Sequence, residues 1–115
     1  MSEYFRQECP SFSVDIFVAG PVADAERICS AFCFEAGLCV SVSATEFIYT
    51  GGRESGVRVS FINYPRFPKT PGSMWAQAEE LALRLIEDMH QHSASIQSPD
   101  KTLWLSRRPQ ASPPD

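Results

Sequence analysis

The chain has 115 residues, of which 43% are apolar, and it carries a formal net charge of −4. That length suits one domain with a single core, and the acidic balance argues against broad phosphate binding, which needs clustered Lys and Arg. No apolar run approaches the ~18 residues of a membrane span, and "MSEYFRQECP" lacks the apolar stretch of an export signal, so a cytoplasmic protein with no membrane association is expected.

The charge is unevenly spread. Residues 1–50 hold Arg6 and Arg27 against seven carboxylates, whereas residues 51–115 hold eight basic and seven acidic groups. An acidic first half suits contact with a basic surface. Cys9, Cys29, Cys33 and Cys39 then belong to a reducing compartment, where disulfides are uncommon. Cys29 and Cys33 lie four apart, which is neither the zinc-knuckle nor the redox spacing. They read as small buried hydrophobes, and no metal or cofactor is expected.

In chain order, the first element is "SFSVDIFV", where Phe12, Val14, Ile16 and Val18 alternate with Ser13, Asp15 and Phe17 as in a half-covered strand. "AGP" breaks it, and Pro21 suits the first turn of a helix from about Val22 to Ala36. Ala25, Ile28, Cys29, Phe32, Cys33 and Ala36 form its apolar stripe, and Gly37 is placed to end it. "LCVSVS" follows as a strand with Leu38, Val40 and Val42 on one face. The alternation then shifts to Phe47 and Tyr49, which predicts a bulge near Ala44 to Glu46.

"EFIYT" and "VRVSFIN" flank "GGRESG", which reads as a hairpin with Arg53 and Glu54 at its tip. Val57, Val59 and Phe61 share the covered face, with Arg58, Ser60 and Ile62 on the open one. "YPRFPKTPG" cannot extend the strand, because its prolines remove ladder donors. Thr70 and Pro71 read as cap and first-turn residue of the longest helix, Pro71 to about Ser93. Its buried stripe is Met74, Trp75, Ala78, Leu81, Ala82, Leu85, Ile86 and Met89, and its wet face pairs Glu80 with Arg84. "TLWLS" is a short final strand.

Strand, helix, strand, strand, helix, strand is the α+β, ferredoxin-like βαββαβ order: a four-stranded antiparallel sheet with both helices on one face. One domain over residues 1–108 and a flexible proline-rich tail over 109–115 complete this reading.

No constellation demands a reaction. "GGRESG" holds neither the dinucleotide fingerprint nor a phosphate-loop lysine, and it lies between strands instead of before a helix. His90 and His92 read as solvated helix-end residues. The aromatic and basic run of RNA-binding sheets is missing, so no nucleic-acid binding is expected. What remains is a stiff surface patch. Arg53, Glu54, Arg58, Asn63, Tyr64, Arg66 and Phe67 are the candidate partner-binding residues, because Arg and aromatic side chains on a rigid loop dominate protein interfaces; the equal alternative is that Tyr64 and Phe67 cover the end of the core while the prolines stiffen a crossover. Phe17, Ile62 or Trp104 offer a homodimer contact on the open sheet face.

The combination "YTGGRESGVRVSFINYPRFP", an alanine-rich helix and "TLWLSRR", about residues 45 to 108, resembles small bacteriophage and prophage proteins, and in size and charge the chain resembles the anti-CRISPR class of inhibitors. That resemblance implies a non-enzymatic module that binds a host CRISPR-Cas effector or its nuclease stoichiometrically. The alternatives are a small-ligand regulatory domain and a thiol-dependent enzyme acting through Cys33 or Cys39.

Overall fold

In the computed structural model, which describes residues 3–108, seven elements follow one another: β1 (Ser13–Ala19), α1 (Val22–Ala36), β2 (Ser41–Tyr49), β3 (Gly52–Ile62), α2 (Pro71–Asp88), β4 (Ser93–Gln97) and β5 (Thr102–Ser106). The expected tail at 109–115 lies outside the described residues. The strands form one antiparallel sheet in the order β2-β3-β1-β4-β5. The fold is α+β with two helices, and the sheet has five strands where four were expected.

The helices start and stop where local chemistry dictates. Gly37 takes the left-handed φ of 67° that a side chain resists, and its N–H donates to Cys33 O, ending α1. Thr70 Oγ1 accepts from Ser73 N at 3.1 Å, and Pro71 needs no donor in the first turn of α2. α2 stops at Asp88, five residues before the expected end, because His90 turns to φ 57°. That turn frees "SASIQ" to pair with β1, producing the strand that periodicity did not reveal.

Both helices cover one sheet face. Val14, Ile16 and Val18 of β1, Val57, Val59 and Phe61 of β3, and Ala94 and Ile96 of β4 pack under Phe32, Met74, Leu81 and Leu85, all within one buried cluster. Alternation drives this layering, since each buried residue has neighbours turned the other way. Arg84 leaves its expected partner Glu80 and donates to Glu35 of α1 at 2.7 Å, with its guanidinium 5.1 Å from the Phe32 ring centre. The reason is geometric: α1 and α2 lie side by side, so a cross-helix carboxylate competes with the local one. No helix among the described residues is long and apolar enough to cross a membrane.

Candidate functional site

The uncovered sheet face holds the candidate site. Register places on it Asp15, Phe17 and Ala19 of β1, Glu54, Gly56 and Arg58 of β3, Ser95 and Gln97 of β4, and Trp104 of β5. β2 contributes Ser43, Thr45, Phe47 and Tyr49 to the same face. The expected bulge near Ala44 to Glu46 does not occur, since Ser41–Tyr49 pairs with Gly52–Ser60 without a slip. The change of phase in the sequence has another cause. The β2–β3 hairpin runs beyond β1, which stops opposite Gly56, so its outer half turns an aromatic to the open side.

Phe47 bends over the sheet at a position only glycine permits. A Cβ on Gly56 would stand 2.1 Å from Phe47 Cε2 and 2.8 Å from the Val18 carbonyl oxygen. Phe47 therefore lies against bare backbone and helps wall a cavity of about 280 Å³. Phe17, Glu54, Gln91, His92 and Ser95 complete most of its lining. Arg108 Nη2 lies 3.1 Å from His92 Nε2. A guanidinium only donates, so that imidazole nitrogen accepts and its lone pair is occupied.

Next to this cavity, Asp15 and Arg58 form an ion pair on the open face, Nη2 to Oδ2 at 3.1 Å. Arg58 stands directly opposite Phe17. Among the candidate residues read from sequence, Glu54 lines the cavity and Arg58 flanks it. Both lie in the body of β3, and the hairpin turn is confined to Thr50 and Gly51, so Arg53 and Glu54 are not at a six-residue tip. Arg53 faces the other side and pairs with Glu46 at 3.3 Å.

Asn63, Tyr64, Arg66 and Phe67 gather at the opposite end of β3. Asn63 is not an exposed contact residue: it is buried, its Nδ2 donates to Pro10 O at 2.8 Å, and its Oδ1 accepts from Lys69 N at 2.8 Å. It clips the 63–69 loop to the segment before β1, which also bonds through Gln7 to Pro65 O and through Cys9 Sγ to Asn63 O. Tyr64 and Phe67 meet with ring centres 5.6 Å apart and planes tilted by 43°. The Tyr64 hydroxyl is held above its usual pKa, first by a hydrogen bond with Cys39 and then by burial. Arg66 and Phe67 remain exposed.

A second groove, about 440 Å³, runs between α1 and residues 38–42 and is lined by Cys29, Cys33 and Cys39. Burial pushes the Cys29 thiol up to about 12, and Cys33 is raised for the same leading reason. Thiols held protonated are poor nucleophiles, which counts against Cys33 as the residue of the thiol-dependent alternative. Among the described residues, no group of three His, Cys, Asp or Glu could hold a metal ion.

Sequence reasoning gave Phe17 only a homodimer role, Phe47 only a change of phase and His92 only a place at a helix end, and it missed Gln91 and Ser95. The odd-numbered Phe47 and Tyr49 were the signal for the aromatic wall, once the two faces of β2 are both allowed a purpose. His92 belongs to the connection before β4, not to a helix end.

No protein-family model matches this sequence, and a search of curated proteins finds no match. The fold is similar to that of a phage SAM lyase in complex with S-methyl-5′-thioadenosine, with a TM-score of 0.71 at 19% identity over 91% of this chain and 96% of the other. It is likewise similar to a phage SAM lyase in the apo state, with a TM-score of 0.65 at 22% identity over 86% of this chain and 91% of the other. This likeness overturns the expectation of a non-enzymatic inhibitor of CRISPR-Cas: the architecture read as a mere scaffold for a binding loop is the architecture of an enzyme.

Proposed function

We propose that this chain is a phage-type lyase that cleaves S-adenosylmethionine and releases S-methyl-5′-thioadenosine from the open face of its sheet. The observation that carries this reading is the fold likeness to a SAM lyase over 91% of the chain. The cavity supports it chemically. At about 280 Å³ it lies near the small end of ligand sites. Phe17 and Phe47 offer ring faces to an adenine or a sulfonium, and the Glu54 carboxylate offers acceptors to ribose hydroxyls.

Release of the thioether fixes which bond breaks. The bond from the sulfonium sulfur to the methionyl γ-carbon opens, its electron pair stays on sulfur, and sulfur becomes neutral. The substrate's own α-carboxylate closes on that carbon, giving a five-membered amino lactone, so atoms and charge balance without water or a protein base. Attack converts a carboxylate and a sulfonium into two uncharged centres. The Phe17 and Phe47 rings make two sides of the cavity less polar, and a less polar wall disfavours the separated charges more than the partly neutralised transition state. Folding the carboxylate back onto the carbon adds the advantage of an intramolecular attack. With its Nε2 occupied by Arg108, His92 is a wall and not a base at that nitrogen.

The strand order β2-β3-β1-β4 supports reading these four strands as a ferredoxin-like core extended by β5. A substrate made and used inside cells agrees with a cytoplasmic protein. The test is incubation of the purified chain with S-adenosylmethionine and chromatography of the products. One thioadenosine per substrate consumed, with the lactone as second product and a rate at least about tenfold lower for Phe47→Ala, supports the proposal. An unsaturated amino acid in place of lactone would reassign the step to elimination. Absence of thioadenosine would refute the reading.

A further inference from the structure

The groove that starts at Phe47 does not end at Phe17. One pleat further along β1, Asp15 stands opposite Gln97 of β4. With Ser13, Ser98 and Pro99 these residues line a second cavity of about 340 Å³. Phe17 and Asp15 are two residues apart on the same face, which sets them about 7 Å apart along the strand. The two cavities therefore follow one another along the β1–β4 groove.

Asp15 is the unusual residue there. Its side chain is only 15% exposed, its Oδ2 bonds Arg58, and its Oδ1 is buried without a hydrogen-bond partner. A desolvated carboxylate oxygen without a donor is unfavourable, and a carboxylate has several acceptor positions beyond the one Arg58 uses. The terminal torsion of aspartate is soft and roughly two-fold, so its oxygens can reorient toward an arriving donor.

We infer that Asp15, positioned by Arg58, receives the α-ammonium group of the methionyl half of the substrate. The inference rests on the reading of the chain as a SAM lyase. With the adenosyl half against Phe47 and the sulfonium beside Phe17, the amino-acid end extends one pleat onward, into the Asp15 cavity. Two consequences follow for the reaction. An amine held as ammonium has no lone pair to attack the γ-carbon, an attack that would close a strained four-membered ring. The carboxylate, left without a fixed partner, is free to fold back and close the five-membered one. Asp15 thereby selects substrates that carry an amino-acid end, whereas the thioether product, which lacks it, is released.

The test compares two ligands by calorimetry. S-adenosylhomocysteine keeps the amino-acid end, and S-methyl-5′-thioadenosine lacks it. For Asp15→Asn, which preserves shape, binding of the first is expected to weaken about tenfold or more, with binding of the second unchanged within about twofold. In turnover, KM for S-adenosylmethionine rises by a similar factor and exceeds the change in kcat. Arg58→Gln, which leaves the carboxylate but frees it, should shift the first ligand in the same direction by less. Equal weakening of both ligands would mean that Asp15 is merely structural, and unchanged binding of both would remove the subsite; either result overturns the inference while wild-type release of thioadenosine persists. A wild-type chain that binds neither ligand and releases no thioadenosine would instead overturn the underlying reading, and the inference with it.

Discussion

Replacing Gly56 by alanine attacks the site through a single methyl group. The new Cβ would lie 2.1 Å and 2.8 Å from two atoms of the Phe47 ring and 2.8 Å from the Val18 carbonyl oxygen. Carbon contacts settle at about 3.5–4.0 Å, so both neighbours must give way. The ring can swing outward, since it is the far end of a side chain on a hairpin extending past β1. The carbonyl cannot, because Val18 is fixed between β3 and β4. Overpacking of this kind costs about 1–3 kcal/mol. For a domain near 100 residues that is a fall in melting temperature of about 4–12 °C, taking about 4 °C per kcal/mol. Displacement of Phe47 also opens the cavity wall, so binding of S-methyl-5′-thioadenosine should weaken more than stability alone explains. Scanning calorimetry and ligand titration measure the two effects. A double-mutant cycle with Phe47→Ala should show coupling, the glycine substitution costing less once the ring is gone. A Gly56→Ala protein with unchanged melting temperature and unchanged ligand affinity would refute the account of this wall.

Three further outcomes are expected. Asn63→Ala removes the part-buried bonds to the Pro10 carbonyl and the Lys69 amide, at about 0.5–1.5 kcal/mol for each; urea denaturation should show a loss of about 1–3 kcal/mol with turnover of the residual folded protein little changed. Gly72 sits in the first turn of α2, and an added methyl group there would meet nothing within 4 Å, so Gly72→Ala should raise stability by about 0.5–1 kcal/mol in the same assay. Burial, and then neighbouring Cys33, lift the Cys29 thiol from 9.0 to about 12. The unfolded chain therefore loses this proton near pH 9 while the folded chain keeps it, and stability falls with rising pH by about 1.4 kcal/mol per unit above that point. Denaturation midpoints from pH 8.5 to 10.5 should decline less steeply for Cys29→Ala than for the wild type.

Local rules in the sequence were reliable where one residue decides the geometry. Gly37, Thr70 and Pro71 mark helix limits through backbone conformation and capping, and the structure places those limits accordingly. The even-numbered apolar residues of β1 and the odd-numbered ones of β3 identify the covered face because alternation is intrinsic to a strand. Features set by distant partners were illegible. "SASIQ" has little strand character of its own and becomes a strand because β1 and β5 flank it. Phe47 looked out of phase because only the register with β3 shows that it covers Gly56. Arg84 chose Glu35 from another helix over Glu80 from its own. The site was hidden for the same reason: Phe17, Phe47, Glu54, His92 and Ser95 come from four separate stretches, and none carries a nucleophile or metal-ligand signature. Glu54 was singled out, but as part of an interface for another macromolecule.

The claim that the open sheet face receives the substrate is tested most directly by titrating S-methyl-5′-thioadenosine into the isotopically labelled protein and following backbone amide shifts. The account predicts that the shifts concentrate at Phe17, Phe47, Glu54, His92 and Ser95 and leave the groove at Cys29, Cys33 and Cys39 unmoved. Shifts gathered in that cysteine-lined groove, or around Tyr64 and Phe67, would contradict it.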